Sequence, residues 1–175
     1  MQVHNGIRPQ DILVLLKLLL EKGKGETLAS RSKSLGLSLA EISKSIQRSR
    51  YSGLISYEEK VATHTFLDFL KYGLSYTFPV KPGAPTRGIP TAISHPWLQS
   101  HFPGNELFVW PHAMGTVRGL AIAPLYESLP EVVTLDEPFY YATALVEVFR
   151  TGKTREKQYA EQELKSLFEV ERTFH

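Results

Sequence analysis

GLSLAEISKSIQRSRYSGLI, residues 36–55, reads as a turn, a helix and a stop. Gly36 ends the segment before it, as glycine does where the backbone must turn left-handed. Ser38 with Glu41 three residues on is a capping box, which opens a new helix. Ile42 and Ile46 fall four apart and Leu39 three before Ile42, so one apolar stripe faces inward. Ser43, Lys44, Gln47, Arg48 and Tyr51 fall on the other face. Gly53 stops the helix, and Leu54-Ile55 returns to the core. An outer face of Ser, Lys, Gln and Arg suits DNA. Lys and Arg neutralise phosphates, and Gln and Arg can make paired hydrogen bonds to base edges in the major groove.

The segment resembles the recognition helix of bacterial winged helix-turn-helix regulators, especially the MarR type, over residues 26–55. The places of that pattern are held here by Gly36, Ser38, Ile42-Ser43-Lys44, Ile46, Arg48 and Gly53-Leu54-Ile55. Ser49 departs from it where a core Leu is usual, and Arg31 where an apolar residue is usual. The resemblance implies that helix 3 lies in the major groove. Lys44, Gln47 and Arg48 would then reach bases or phosphates, Ser38 and Ser43 the backbone, and Arg31, Arg50 and Tyr51 would flank.

Outward from this stretch, Pro9 to Lys22 has the signals of a first helix: Pro at its first position, Asp11 in the positive first turn, Gly23 after the last. Ile12 to Leu16 and Leu18 to Leu20 leave little but Lys17 polar. A helix so apolar is covered on more than one side, by the chain or by a second subunit. Thr27 to Leu35 makes helix 2 and Ser38 to Ser52 helix 3. Ile55 to Ala62 is where a wing belongs, and it is too short for a long-tipped hairpin, so the wing is expected to be short or missing. Thr63 to Gly73 makes helix 4, on Phe66, Leu67 and Leu70.

Leu74 to Val80 alternates apolar and polar and reads as a strand, demoted to an edge by Pro79. Lys81 to Pro90, with three Pro and two Gly, reads as a loop. Leu107–Trp110 and Leu120–Ile122 are short strand candidates. Asp136 caps a helix with Pro138 in its first turn that ends at Gly152, and a last helix runs from Thr154 to Glu171. Those two form a helical hairpin. The expected fold is mainly α with a minor β component: a winged helix-turn-helix in residues 1–73, and a mixed α/β to helical region in 74–175. The second region would serve dimerisation or sensing, or join the first in one compact unit.

The totals agree with a packed protein. Of 175 residues, 42% are hydrophobic and 22% charged, enough apolar content for a core and too much for disorder. Net charge is +2, but residues 1–60 hold ten Lys/Arg against six Asp/Glu, and residues 131–175 six against nine. The basic excess coincides with the helix-turn-helix. The absence of cysteine excludes thiolate zinc sites, disulfides and a Cys nucleophile. The N-terminus lacks the form of a signal peptide, and Ile12 to Leu20 is too short to span a bilayer, so a cytoplasmic protein is expected.

His95, His101 and His112 fit no metal spacing, so no metal or cofactor is expected. The aromatic run from Tyr72 to Tyr141 reads as core, or as a pocket for a small-molecule effector with Arg87, His112 or Arg118 as its polar groups. No phosphate loop, nucleophile elbow or acid–base carboxylate pair stands out. The reading is therefore a sequence-specific double-stranded DNA-binding transcription regulator, a homodimer through helix 1 or the C-terminal helix pair, and not an enzyme. The alternatives are a helix-turn-helix adaptor or antitoxin-like partner protein, and an enzyme with its site in residues 74–130.

Overall fold

The computed structural model describes residues 5–104 and 106–169. In the N-terminal region, local signals set the helices. α1, Pro9–Glu21, opens with Pro9, and the Asp11 carboxylate accepts the Arg8 N–H at 2.8 Å. α2, Leu28–Leu35, is capped by Thr27, which accepts from the Ser30 N–H. Gly36 follows with φ +64°, the left-handed turn. A side chain there would be strained on backbone grounds and would press on Ser128. α3, Leu39–Tyr51, starts at Ser38, whose hydroxyl accepts the Glu41 N–H. Beyond it, Ile55 pairs with Val61 in a single antiparallel bridge, closed by Ser56 N–H to the Lys60 carbonyl. That minimal hairpin stands where a wing was expected. α4, Thr63–Tyr72, follows directly.

The middle region departs from the expected elements. Leu74–Thr77 is a short helix, α5, and not a strand. Its alternation is real, but the Thr77 hydroxyl returns to the Gly73 carbonyl and Leu74 alone is buried, so a local turn wins. The expected loop contains a strand, β1, Pro85–Pro90. Its prolines sit at the two ends, where a missing N–H costs little. α6, Pro96–Gln99, then precedes β2, Phe108–Pro111, and β3, Val117–Ala121. β1 is antiparallel to both β2 and β3, and β2 runs parallel to β3, so the three strands close on themselves. Closure this tight brings backbone onto backbone. A Cβ on Gly88 would lie 2.1 Å from the Trp110 carbonyl oxygen, and one on Gly115 2.3 Å from that of Gly88.

α7, Leu129–Val132, leads to the C-terminal helical hairpin of α8, Glu137–Thr151, and α9, Thr154–Glu169. The expected last turn to Glu171 lies outside the described residues. Asp136 caps α8 through the Phe139 N–H and pairs with Lys17 of α1 at 2.9 Å. Every residue of α8 from Phe139 to Phe149 is buried. It is the axle of the fold, touched by α1, α4, α5, α9 and the turn after β1. One hydrophobic core runs from Ile12 to Leu164 and crosses the expected boundary at residue 73.

The same packing answers what covers helix 1. Ile12 to Leu16 are fully buried within the chain, against α2, α3, α8 and α9. Of the surface expected to hold a second subunit, Ile12 to Leu16 of α1 and Phe139 to Phe149 of α8 lie in the chain's own core, whereas much of α9 remains at the surface. Among the described residues no helix is long and apolar enough to cross a membrane.

Candidate nucleic-acid interface

α3 meets the rest of the protein along a narrow seam. Ile42, Ser45 and Ser49 are its buried residues, three and four apart. This differs from the expected stripe by a fraction of a turn: Leu39 is 49% exposed and Ile46 only half-buried. Two serines on the seam lie against neighbours with their hydroxyls buried and without a hydrogen-bond partner among the described residues. Ser49 thus occupies an inward position without filling it.

Arg48 is engaged within the chain. Its Nε and Nη2 donate to the two carboxylate oxygens of Asp11 at 2.8 and 2.7 Å, and Nη2 also reaches Glu41 Oε1 at 2.6 Å. Asp11 is fully buried. Burial pulls on Glu41 one way, but the hydrogen bonds from Arg48 and Gln10 hold its carboxyl below the usual range. The Asp11 hydrogen bond likewise raises Arg48, outweighing burial. Arg48 therefore fastens α3 to α1, and reading a base would require breaking three charge-assisted bonds. Glu41 is diverted to this cluster, so only the Ser38 half of the expected capping box forms.

The flanking arginines are also engaged. Arg31 Nε donates to both oxygens of Glu21, at 3.0 and 2.9 Å. Arg50 pairs with Glu59 of the hairpin at 3.1 Å. Ser38 is used as a cap. What α3 leaves in solvent is Ala40, Ser43, Lys44, Gln47 and Tyr51, with Leu39 at its start. Ser43, Lys44 and Gln47 share one outward stripe, and among the described residues Lys44 makes no ion pair. Of the eight residues singled out from the sequence, four therefore stand free on one face: Ser43, Lys44, Gln47 and Tyr51. The signal that could have reassigned Arg48 is the pairing of Asp11 in one helix with Glu41 and Arg48 in another, and only the fold supplies it.

In the second region Arg87 and Arg118 stand directly opposite each other on β1 and β3, both exposed. The His112 N–H donates to the Arg87 carbonyl at 3.2 Å. The three residues expected to supply polar groups to a pocket do come together, but on an open strand surface. Part of the aromatic run packs together, with Trp97, Tyr140 and Tyr141 around His95 and Trp110 against Tyr140, while Tyr72 and Tyr76 face solvent. His95 is a core histidine. Its Nδ1 accepts the Trp97 N–H, its ring meets the Tyr140 ring edge-on at 4.2 Å, and burial depresses it to about 4, so it is neutral.

Behind these surfaces, Glu147 of α8 is fully buried. It accepts from Arg150 Nη1 at 2.6 Å and Trp110 Nε1 at 3.3 Å. Arg150 Nε in turn donates to the Phe78 carbonyl at 3.0 Å. Burial, opposed by Arg150 and Trp110, pushes the Glu147 carboxyl up. This cluster ties the strands to α8 and carries no exposed group.

No family model fits the chain, and no curated protein or solved structure matches it.

Proposed function

We propose that this chain binds double-stranded DNA through α3, as a transcription regulator of the winged helix-turn-helix, MarR-like kind. The observation that carries the reading is the division of labour on α3. Its inner side is fastened by the seam and by Arg48, while Ser43, Lys44 and Gln47 are presented together to solvent. In this reading Gln47 reads a base edge, Lys44 neutralises a phosphate and Ser43 bonds the backbone. Arg48 is removed from the reading set and becomes a support. Specificity from one short helix calls for two copies about one DNA turn apart, roughly 34 Å, through surface other than α1.

The test is duplex binding with the full chain over a salt series, followed by Gln47→Ala and Lys44→Ala. Gln47→Ala should cost about 1–3 kcal/mol on a selected site and less on random duplex. Lys44→Ala should weaken both alike. Failure of the wild type to retain duplex at low salt would sink the reading.

A second reading is favoured by one observation. Leu39, Tyr51 and Tyr57 are 49%, 75% and 96% exposed at the start of α3, at its end and on the hairpin. Apolar groups around a polar stripe suit a protein partner, as in an adaptor or antitoxin-like component. A stable heteromeric complex blocked by Tyr51→Ser, with no duplex binding, would select it.

A further inference from the structure

α3 offers few phosphate contacts for a DNA-binding surface. Arg31, Arg48 and Arg50 are paired with carboxylates. The hairpin beside the end of α3 cannot make up the shortfall. Its tip carries Glu58 and Glu59, the second bound to Arg50, and its Lys60 lies 3.5 Å from Glu58. Charge on that side cancels.

The other end of α3 is different. The turn at Leu35–Gly36 rests on α7: the Ser128 hydroxyl donates to the Leu35 carbonyl at 2.8 Å, and Gly36 packs on Ser128 and Val132. On α7, Glu131 lies 3.9 Å from His112 Nε2, and the His112 N–H is bonded to the Arg87 carbonyl. Arg87 faces Arg118 across the β1–β3 ladder. Directly opposed residues of an antiparallel pair project from the same face with Cβ atoms about 5 Å apart, and like charges so placed destabilise the sheet. Neither arginine has an ion pair or a side-chain hydrogen bond among the described residues. Each is followed by a glycine, Gly88 and Gly119, whose backbone is packed on the carbonyls of Trp110 and Leu107. The ladder therefore cannot shift to move the arginines apart. Two exposed guanidinium groups held in register, without a counter-charge among the described residues, are placed to share an anion.

We propose that Arg87 and Arg118 form a phosphate clamp for the backbone of duplex DNA, adding to the few phosphate contacts that α3 offers. The proposal rests on the reading of α3 as a DNA-binding helix. The pair is linked to the turn before α3 through Ser128 and Glu131 of the α7 segment and through His112. Two guanidinium forks can hold neighbouring phosphates or share one.

The test compares the full wild-type chain with Arg87→Gln/Arg118→Gln and with Lys44→Ala/Gln47→Ala, on labelled duplex over a salt series, with melting temperatures alongside. Loss of two phosphate contacts should make the log–log salt slope shallower by about 1.8. The gap between the arginine variant and wild type should then narrow about twelvefold between about 50 and 200 mM salt. The arginine variant should melt no lower than wild type, since a like-charge pair is relieved. An unchanged slope in that variant, with the α3 variant weakened, overturns the clamp and leaves the reading of α3 intact. The reverse pattern upholds the clamp and overturns α3 as the reader. No duplex binding by wild type overturns both.

Discussion

α3 and α8 are each fixed by an arginine bound to a buried carboxylate, yet the two helices are used in opposite ways. α8 is enclosed from Phe139 to Phe149, and its arginine bonds to a carboxylate one turn back on the same helix and to a carbonyl of the chain around it. Apolar contact would hold α8 in place without the ion pair. α3 buries only Ile42, Ser45 and Ser49, and two of those are serines. So little apolar area leaves the Arg48 bonds to Asp11, with the Gln10 hydrogen bond to Glu41, a large share of the work of fixing α3 on α1. The difference shows how a helix can be rigidly mounted while its outer face stays uncommitted. A polar fastening at the edge of a narrow seam replaces the wide apolar stripe that would have consumed that face.

The comparison breaks first at α8. Glu147→Ala leaves Arg150 without its carboxylate and the Trp110 N–H unpaired in the core, and should cost about 3–5 kcal/mol in urea unfolding. Glu147→Gln with Arg150→Met, which removes both charges and keeps the volume, should recover most of that loss. A loss below about 1 kcal/mol for Glu147→Ala would mean that the cluster is incidental to the packing of α8.

Arg48→Ala comes next. It strips Asp11, which is fully buried, of its cation, but Glu41 keeps access to water. The cost should sit near the lower end of the same range, about 3 kcal/mol. It should appear as a lower melting temperature, with site preference unchanged in whatever fraction remains folded. A variant that folds as stably as wild type but loses sequence preference would return Arg48 to the reading face.

A smaller effect of opposite sign tests the seam. Ser49→Ala removes a buried hydroxyl without a partner and places a better helix former on α3, so it should stabilise by about 1 kcal/mol. Destabilisation would show that the hydroxyl does have a partner.

The smallest effect separates the two clusters by pH. The Glu41 carboxyl is held below its ordinary 4.5, so its contribution is present above that value and is lost as pH falls below it. Glu147 is shifted the other way, so its charged form costs stability and protonation relieves it. On acidification below about 4.5, Glu41→Gln should therefore lose a few tenths of a kcal/mol less than wild type. An identical acid limb in both would remove Glu41 from the fastening.

Helix ends were legible wherever one residue and its near neighbours decide them: Ser38 and Asp136 cap as their spacing predicts, and Gly36 turns left-handed. The middle strands were not. Prolines at both ends of β1 and its glycine made it look like a loop, and what makes it a strand is pairing with residues nineteen or more positions away. Leu74 to Phe78 alternates as a strand would, but has no partner strand, and so closes as a helical turn. The outer face of α3 was visible from its period, whereas the fate of Arg48 depended on Asp11, 37 residues earlier. Period gives the direction of a side chain; only the fold shows whether a counter-charge waits there.

The closed arrangement of β1, β2 and β3 has a consequence for the behaviour of the protein in concentrated solution. An open three-stranded sheet has two edges with unpaired N–H and C=O groups, onto which strands of other molecules can add and propagate into fibres. Here each strand has both neighbours, so the ladder ends on itself. A segment rich in short apolar runs, VW at 109–110 and LAI at 120–122, is thereby withdrawn from edge-to-edge growth. Where the strands are paired on both sides, as at Gly88, a docking peptide can add only through side chains.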